Sequence, residues 1–154
     1  MNRAVIFDFG GVLIDWNPWY LYRNIFSSRE EFDLFMVESK FAYWNDRADA
    51  GEKFSDLVAE VLDSTPQWGL YFQMFPDLFI ESLGNAVEGS IEILTELKQL
   101  KVPLFGLTNW SAETFPQARR KFDFLELFDD ILVSGEQKMV KPELRFFQLA
   151  LDRW

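Results

Sequence analysis

The chain is 154 residues long, 49% apolar and 26% charged, with 15 basic against 25 acidic side chains and a formal net charge of −10. That length suits one compact domain with a sizeable core and room for a small insertion. The acidic balance argues against nucleic-acid and anionic-membrane partners, both of which need a basic patch. Cys and His are absent, which excludes disulfides, thiolate chemistry, Ser-His-Asp catalysis and His-ligated zinc. Chemistry must then run on carboxylates, hydroxyls, Lys or Arg, with any metal a hard ion held through oxygen. No apolar run approaches the roughly 20 residues of a membrane span. The first residues also lack the basic, apolar and small-residue order of a signal peptide, so a cytoplasmic protein is expected.

In chain order, Ala4-Val5-Ile6-Phe7 is a short apolar run ending at Asp8 and followed by Gly10-Gly11, as suits a strand buried on both faces of a parallel sheet. From Trp16 to about Gly84 the pattern is helical. Asn17-Pro18 is a cap followed by a first-turn proline. Ser28 with Glu31 reads as a capping box leading into Phe32, Phe35 and Met36. Phe54, Leu57, Val58, Val61 and Leu62 follow helical spacing. Thr65-Pro66 opens a further helix that Gly84 is placed to end. Aromatic residues make up 18% of the chain and crowd this stretch, where packing is their ordinary role. Ile91, Leu94, Leu97 and Leu100 mark another helix. Val102 to Leu107 reads as a second strand ending at Thr108-Asn109, with Pro103 tolerable at its start. Ser111 opens a helix bearing Phe115, Ala118 and Phe122, and Ile131-Leu132-Val133 is a third strand. Strands alternating with helices predict an α/β fold.

Ligands of parallel α/β sheets bind beyond the carboxyl ends of the strands. Asp8, Thr108 and Lys141 fall there, a carboxylate, a hydroxyl and an ammonium suited to an anionic substrate. Gly10 and Gly11 let backbone amides approach phosphate oxygens. Each residue also has a plainer reading, as a turn residue, a loop cap or a solvated lysine. Lys138 competes with Lys141 but lacks the proline that follows it.

Phe7-Asp8-Phe9-Gly10-Gly11-Val12-Leu13 resembles the first motif of the haloacid dehalogenase-like hydrolase superfamily. Leu107-Thr108-Asn109 resembles the second and Lys141-Pro142-Glu143 the third. Asp15-Trp16-Asn17-Pro18 and Leu107-Thr108-Asn109-Trp110-Ser111 are similar to phrases of its bacterial predicted phosphatases. One hundred residues separate Asp8 from Thr108, and 33 separate Thr108 from Lys141. The first interval has room for a small helical cap and the second does not. The resemblance therefore implies a Rossmann-like three-layer parallel sheet core in residues 1–15 and 86–154, with an α-helical cap in 16–85. It implies Asp8 as a nucleophile forming an aspartyl-phosphate. Thr108 and the amide of Asn109 would hold phosphate oxygens, with Gly10 and Gly11 beside them, and Lys141 would steady Asp8 and the phosphate. Mg²⁺ would be bound by Asp8 and the Gly10 carbonyl. The expected substrate is a small phosphorylated metabolite, a sugar phosphate for preference.

The chain departs from that pattern in two places. Many of these phosphatases carry a second Asp two positions after the nucleophile as general acid–base; here the position is Gly10, which transfers no proton. The fourth motif, an acidic pair on a further strand, has no counterpart after Lys141-Pro142. Asp129-Asp130 precedes the third strand and so belongs to the opposite edge. By resemblance the chain ends some way short of its relatives, leaving the first strand an open edge at which a second copy would pair. Two alternatives stay open: a metal-free 2-haloacid dehalogenase, and a catalytically silent fold or binding module. Trp16, Trp44, Phe54 and Arg47 are candidates for shaping a substrate pocket.

Overall fold

A computed structural model of the protein describes residues 3–154. Three of the apolar runs form a parallel sheet of β1 (Val5–Phe7), β4 (Leu104–Thr108) and β5 (Asp130–Val133), in the order β1-β4-β5. The register pairs Val5 with Leu104 and Thr108 with Val133, so the residues that follow each strand emerge along one edge. Pro103 lies just ahead of β4, where its missing N–H costs nothing and its carbonyl accepts from Val5 at 3.0 Å. Among the described strands β1 pairs with β4 alone, and Ile6 on it is 46% exposed. No described helix is long and apolar enough to cross a membrane.

Helices α6 (Glu88–Gln99), α7 (Phe115–Lys121), α8 (Ser134–Gln137) and α9 (Leu144–Arg153) connect and follow these strands. Two expectations fail here. Leu100 does not join the buried face of α6; it is 67% exposed, because each three-residue step falls about 60° short of a full helical turn and three steps carry it to the far side. Helix α7 begins at Phe115, not at Ser111, whose hydroxyl instead accepts from the Glu113 amide at 3.1 Å and closes a local turn.

Between β1 and α6 lie five helices: α1 (Pro18–Tyr22), α2 (Arg29–Glu38), α3 (Phe41–Asp49), α4 (Phe54–Ser64) and α5 (Pro66–Gln73). Asn17 caps α1 by accepting from the Trp19 amide at 3.0 Å. Ser28 caps α2 through the Glu31 amide at 3.2 Å, and the Glu31 carboxylate returns to the Ser27 amide at 2.9 Å, one residue before the position of a standard capping box. Helix α5 ends at Gln73, well before Gly84. Gly84 belongs instead to β3 (Leu83–Ala86), which pairs antiparallel with β2 (Ile14–Trp16) where the chain leaves and re-enters the sheet domain. A Cβ at Gly84 would press on the Asp15 carboxylate and the Tyr20 ring, so the glycine makes room for close approach and does not end a helix.

The helical segment is held by rings. Tyr22, Phe35, Phe41, Phe72 and Phe75 are all fully buried. The Tyr22 hydroxyl donates to the Tyr71 carbonyl at 2.8 Å, and burial pushes its ionisation far above the usual phenol range. A chain of ring contacts runs on into the sheet domain. Phe41 meets Phe75 at 4.8 Å, Phe75 meets Phe79 at 5.5 Å, and Phe79 meets Trp110 at 5.7 Å. Trp110 then meets Phe115 at 5.7 Å, and Phe115 stacks on Phe9, the neighbour of Asp8. Aromatic pairs at these separations prefer tilted and edge-on geometry and add to plain area burial.

Candidate active site

Asp8 ends β1, and its two carboxylate oxygens are used differently. Oδ1 accepts from the Phe9 amide at 2.8 Å, whereas Oδ2 lies 2.7 Å from Lys141 Nζ. The loop behind it is tight: the Phe9 carbonyl accepts from the amides of Val12, Leu13 and Ile14, and Gly11 adopts φ +73, a left-handed conformation that favours glycine. At the end of β4, Thr108 is buried and its hydroxyl has no hydrogen-bond partner among the described residues. Asn109 clamps the third segment from both sides. Its Oδ1 accepts from the Lys141 amide at 2.8 Å, and its Nδ2 donates to the Lys141 carbonyl at 3.0 Å. Lys141 Nζ also donates to the Leu107 carbonyl at 2.9 Å. The lysine is thus fixed at its backbone and its head, with its side chain 20% exposed against 45% for Asp8.

The two lysines are placed differently. Lys138 closes α8 with φ 54 and is exposed. Lys141 makes the ion pair. Asp129 and Asp130 are at the far edge, paired with Lys98 at 2.8 Å and Arg153 at 2.6 Å.

A pocket opens beside this edge, lined by Gly10, Trp16, Asn45, Asp49, Phe79, Asn109 and Trp110. Of the four candidates for shaping it, Trp16 does so. Trp44 and Phe54 are buried in the ring core, and Arg47 is engaged elsewhere with Glu52 and Glu60, whose carboxyls it holds below their usual range through hydrogen bonds. Asn45, Asp49 and Phe79 belong to no motif in the sequence, and Trp110 stands there only as a neighbour of Thr108-Asn109. The Asn45/Asp49 pair has helical i,i+4 spacing, the one signal that places both on a single face of α3. Asn45 Nδ2 donates to Asp49 Oδ2 at 3.3 Å. Burial and the negative charge of Asp46 push the Asp49 carboxyl up to about 7, against a smaller downward pull from the Ser111 amide. The Trp110 indole N–H is buried without a hydrogen-bond partner among the described residues.

The oxygen donors that the motif resemblance implies for a metal at this edge are the Asp8 carboxylate and the Gly10 carbonyl. Among the described residues no group of three or more His, Cys, Asp or Glu is gathered to hold a metal. Two hard oxygen donors suit an ion that keeps several waters and takes further ligands from a phosphate.

A Rossmann-like parallel sheet whose polar edge is organised around a carboxylate–lysine pair defines the architectural class. The chain belongs to the haloacid dehalogenase-like hydrolases, whose family model matches residues 5–154. It is 30% identical to the sesquiterpene phosphatase astK of Aspergillus oryzae, over 98% of this chain and 74% of that protein. In fold it is similar to a HAD-family enzyme from Bacteroides thetaiotaomicron solved with magnesium and inorganic phosphate, with TM-score 0.68, 18% identity, and coverage of 98% and 77% of the two chains. It is also similar to the magnesium-bound HAD-hydrolase YfnB of Bacillus subtilis, with TM-score 0.70, 17% identity, and coverage of 99% and 72%. The L-2-haloacid dehalogenase of Xanthobacter autotrophicus with chloropropionic acid covalently bound gives TM-score 0.66, 16% identity, and coverage of 99% and 65%.

Proposed function

We propose that this hydrolase is a Mg²⁺-dependent phosphatase of small organic phosphates in which Asp8 is the nucleophile. The observation that carries this reading is the Asp8–Lys141 pair at 2.7 Å, with the ammonium anchored to the Leu107 carbonyl. A carboxylate attacking a phosphate dianion is a meeting of like charges, and a fixed cation between them lowers its cost. Thr108, whose hydroxyl has no partner among the described residues, and the amide of Asn109 are donors for phosphate oxygens. Gly10 carries no side chain to shield its backbone amide, whereas the Gly11 amide, expected beside the phosphate, is instead donated to the Ile14 carbonyl at 2.8 Å and closes the loop.

The Asp8 carboxylate attacks phosphorus, the ester P–O bond breaks, and its electron pair leaves with the organic oxygen. Water then attacks the phosphorus of the aspartyl-phosphate, releasing inorganic phosphate and restoring the carboxylate. Asp8 and the Gly10 carbonyl would hold Mg²⁺, which supplies positive charge at the phosphate. The magnesium-bound solved structures of the same fold support that choice. In this reading residues 16–85 are the cap, and α3 presents Asn45 and Asp49 to the substrate.

For the organic group, three rings wall the pocket: Trp16, Phe79 and Trp110. They favour an apolar group over the sugar expected from the motifs, and the sesquiterpene phosphatase of Aspergillus oryzae points the same way. Phosphate release is to be measured from sugar and prenyl phosphates, with Mg²⁺ and with EDTA. Release that needs Mg²⁺ and favours the prenyl ester is expected. Chloride release from 2-chloropropionate, unaffected by EDTA and without phosphatase activity, would replace this reading with the dehalogenase.

A further inference from the structure

The reaction above lacks a proton donor for the leaving oxygen, because position 10 is glycine. We infer that Asp49, reaching the pocket from α3, protonates the leaving oxygen and later takes a proton from the attacking water. The inference rests on the phosphatase reading and adds to it a residue that no motif contains.

The geometry points there for three reasons. Asp49 is the one ionisable side chain among the residues lining the pocket, which it shares with Gly10 and Asn109 of the sheet edge. Its place is fixed across the two parts of the molecule, since the Ser134 hydroxyl, at the end of β5, donates to the Asp49 carbonyl at 2.6 Å. Finally, the space at position 10 is open. No atom lies within 4 Å of the site a Gly10 Cβ would occupy, and its backbone is outside the left-handed region. Crowding therefore does not impose the glycine, and the acid function is free to come from the opposite wall.

The surroundings of Asp49 suit proton exchange near neutrality. Asn45 donates to one carboxylate oxygen at 3.3 Å, and the nearby Ser111 backbone, in the loop after β4, pulls the carboxyl down by less than burial pushes it up. Asp46 on the same helix adds negative charge. Of the other charged groups on the elements around α3, Glu113 accepts from the Phe54 amide and the side chain of Lys138 passes beside Gly51. Desolvation and the Asp46 charge raise the carboxyl to about 7, so both protonation states are populated at working pH.

The proton account balances. As Asp8 attacks phosphorus and the P–O bond breaks, the leaving oxygen takes the Asp49 proton and departs as an alcohol. The Asp49 carboxylate then removes a proton from the water that attacks the aspartyl-phosphate. Phosphate is released and Asp49 is protonated again.

The test compares Asp49→Asn with the unaltered protein on two Mg²⁺-supplemented esters, p-nitrophenyl phosphate and an alkyl phosphate. The phenolate leaves without help; the alkoxide does not. The expected result is a loss of about 10²–10⁴-fold in kcat/KM for the alkyl ester, a change within about threefold for the aryl ester, and loss of the basic limb of the alkyl pH profile. Adding Gly10→Asp to Asp49→Asn should recover alkyl ester turnover. Equal losses on both esters in a variant with unchanged near-UV circular dichroism, or no loss on either, would overturn the inference and leave the phosphatase reading intact. Absence of turnover of both esters by the unaltered protein would overturn the phosphatase reading, and the inference with it.

Discussion

The sheet domain and the helical segment are built on opposite economies. The sheet domain places its polar groups at one edge and holds them with few, directed bonds: Lys141 to Asp8 and Leu107, and Asn109 to both backbone groups of Lys141. The helical segment between β2 and β3 is fastened by undirected ring packing around Tyr22, Phe35, Phe41, Phe72 and Phe75. The two meet where Phe79 packs on Trp110 and where Ser134 holds the Asp49 carbonyl. Changes at the edge should therefore alter chemistry without unfolding the protein, and changes among the rings should do the reverse.

The largest effect that would break this division is in the ring core. Phe41→Ala removes a fully buried ring in contact with Phe35, Phe72 and Phe75 and should cost about 3–5 kcal/mol in denaturant unfolding. Lys141→Met is the complementary change. It should lower kcat about 10²–10³-fold while leaving the unfolding midpoint close to that of the unaltered protein. A midpoint shift as large as that of the ring variant would refute the division.

Asp49 sharpens the contrast because it belongs to the helical segment yet faces the edge. Its carboxyl is raised from 3.8 to about 7 in the folded state, so the native state binds the proton more tightly than the unfolded chain does. Its contribution to stability is full at low pH and falls as pH rises between those values. Unfolding followed from pH 4 to 8 should show that fall, and Asp49→Asn should flatten it. The smallest effect is expected at an exposed cap. Ser28→Ala removes the bond to the Glu31 amide and should cost about 1 kcal/mol of stability with no change in turnover.

The same contrast explains what could be read from the sequence. Strand ends followed by Asp8, Thr108 and Lys141 are legible because a parallel sheet brings its carboxyl ends to one edge whatever the intervening chain does. The starts of α1, α2 and α5 are legible from local signals at Asn17-Pro18, Ser28 and Thr65-Pro66. Strands β2 and β3 are not. They are three and four residues long, too short for an alternating pattern, and their pairing joins residues about seventy apart. Asp49 is illegible for a different reason. An Asp on an amphipathic helix looks the same whether it faces water or a pocket, and only the packing of α3 against the sheet domain distinguishes them. Packing is legible as the ordinary role of the rings, but which of them reach the pocket is not: of the candidates Trp16, Trp44 and Phe54 only Trp16 lines it, joined by Phe79 and Trp110 through tertiary placement.

The central claim is that Asp8 is the nucleophile that accepts the phosphoryl group. The protein should be mixed with Mg²⁺ and a phosphate ester, quenched in acid within one turnover, and digested for mass spectrometry. The account predicts that the peptide containing Asp8 carries one added phosphoryl group, absent in Asp8→Asn and absent when EDTA replaces Mg²⁺. Phosphate released with that peptide unmodified, or released equally well by Asp8→Asn, would contradict it.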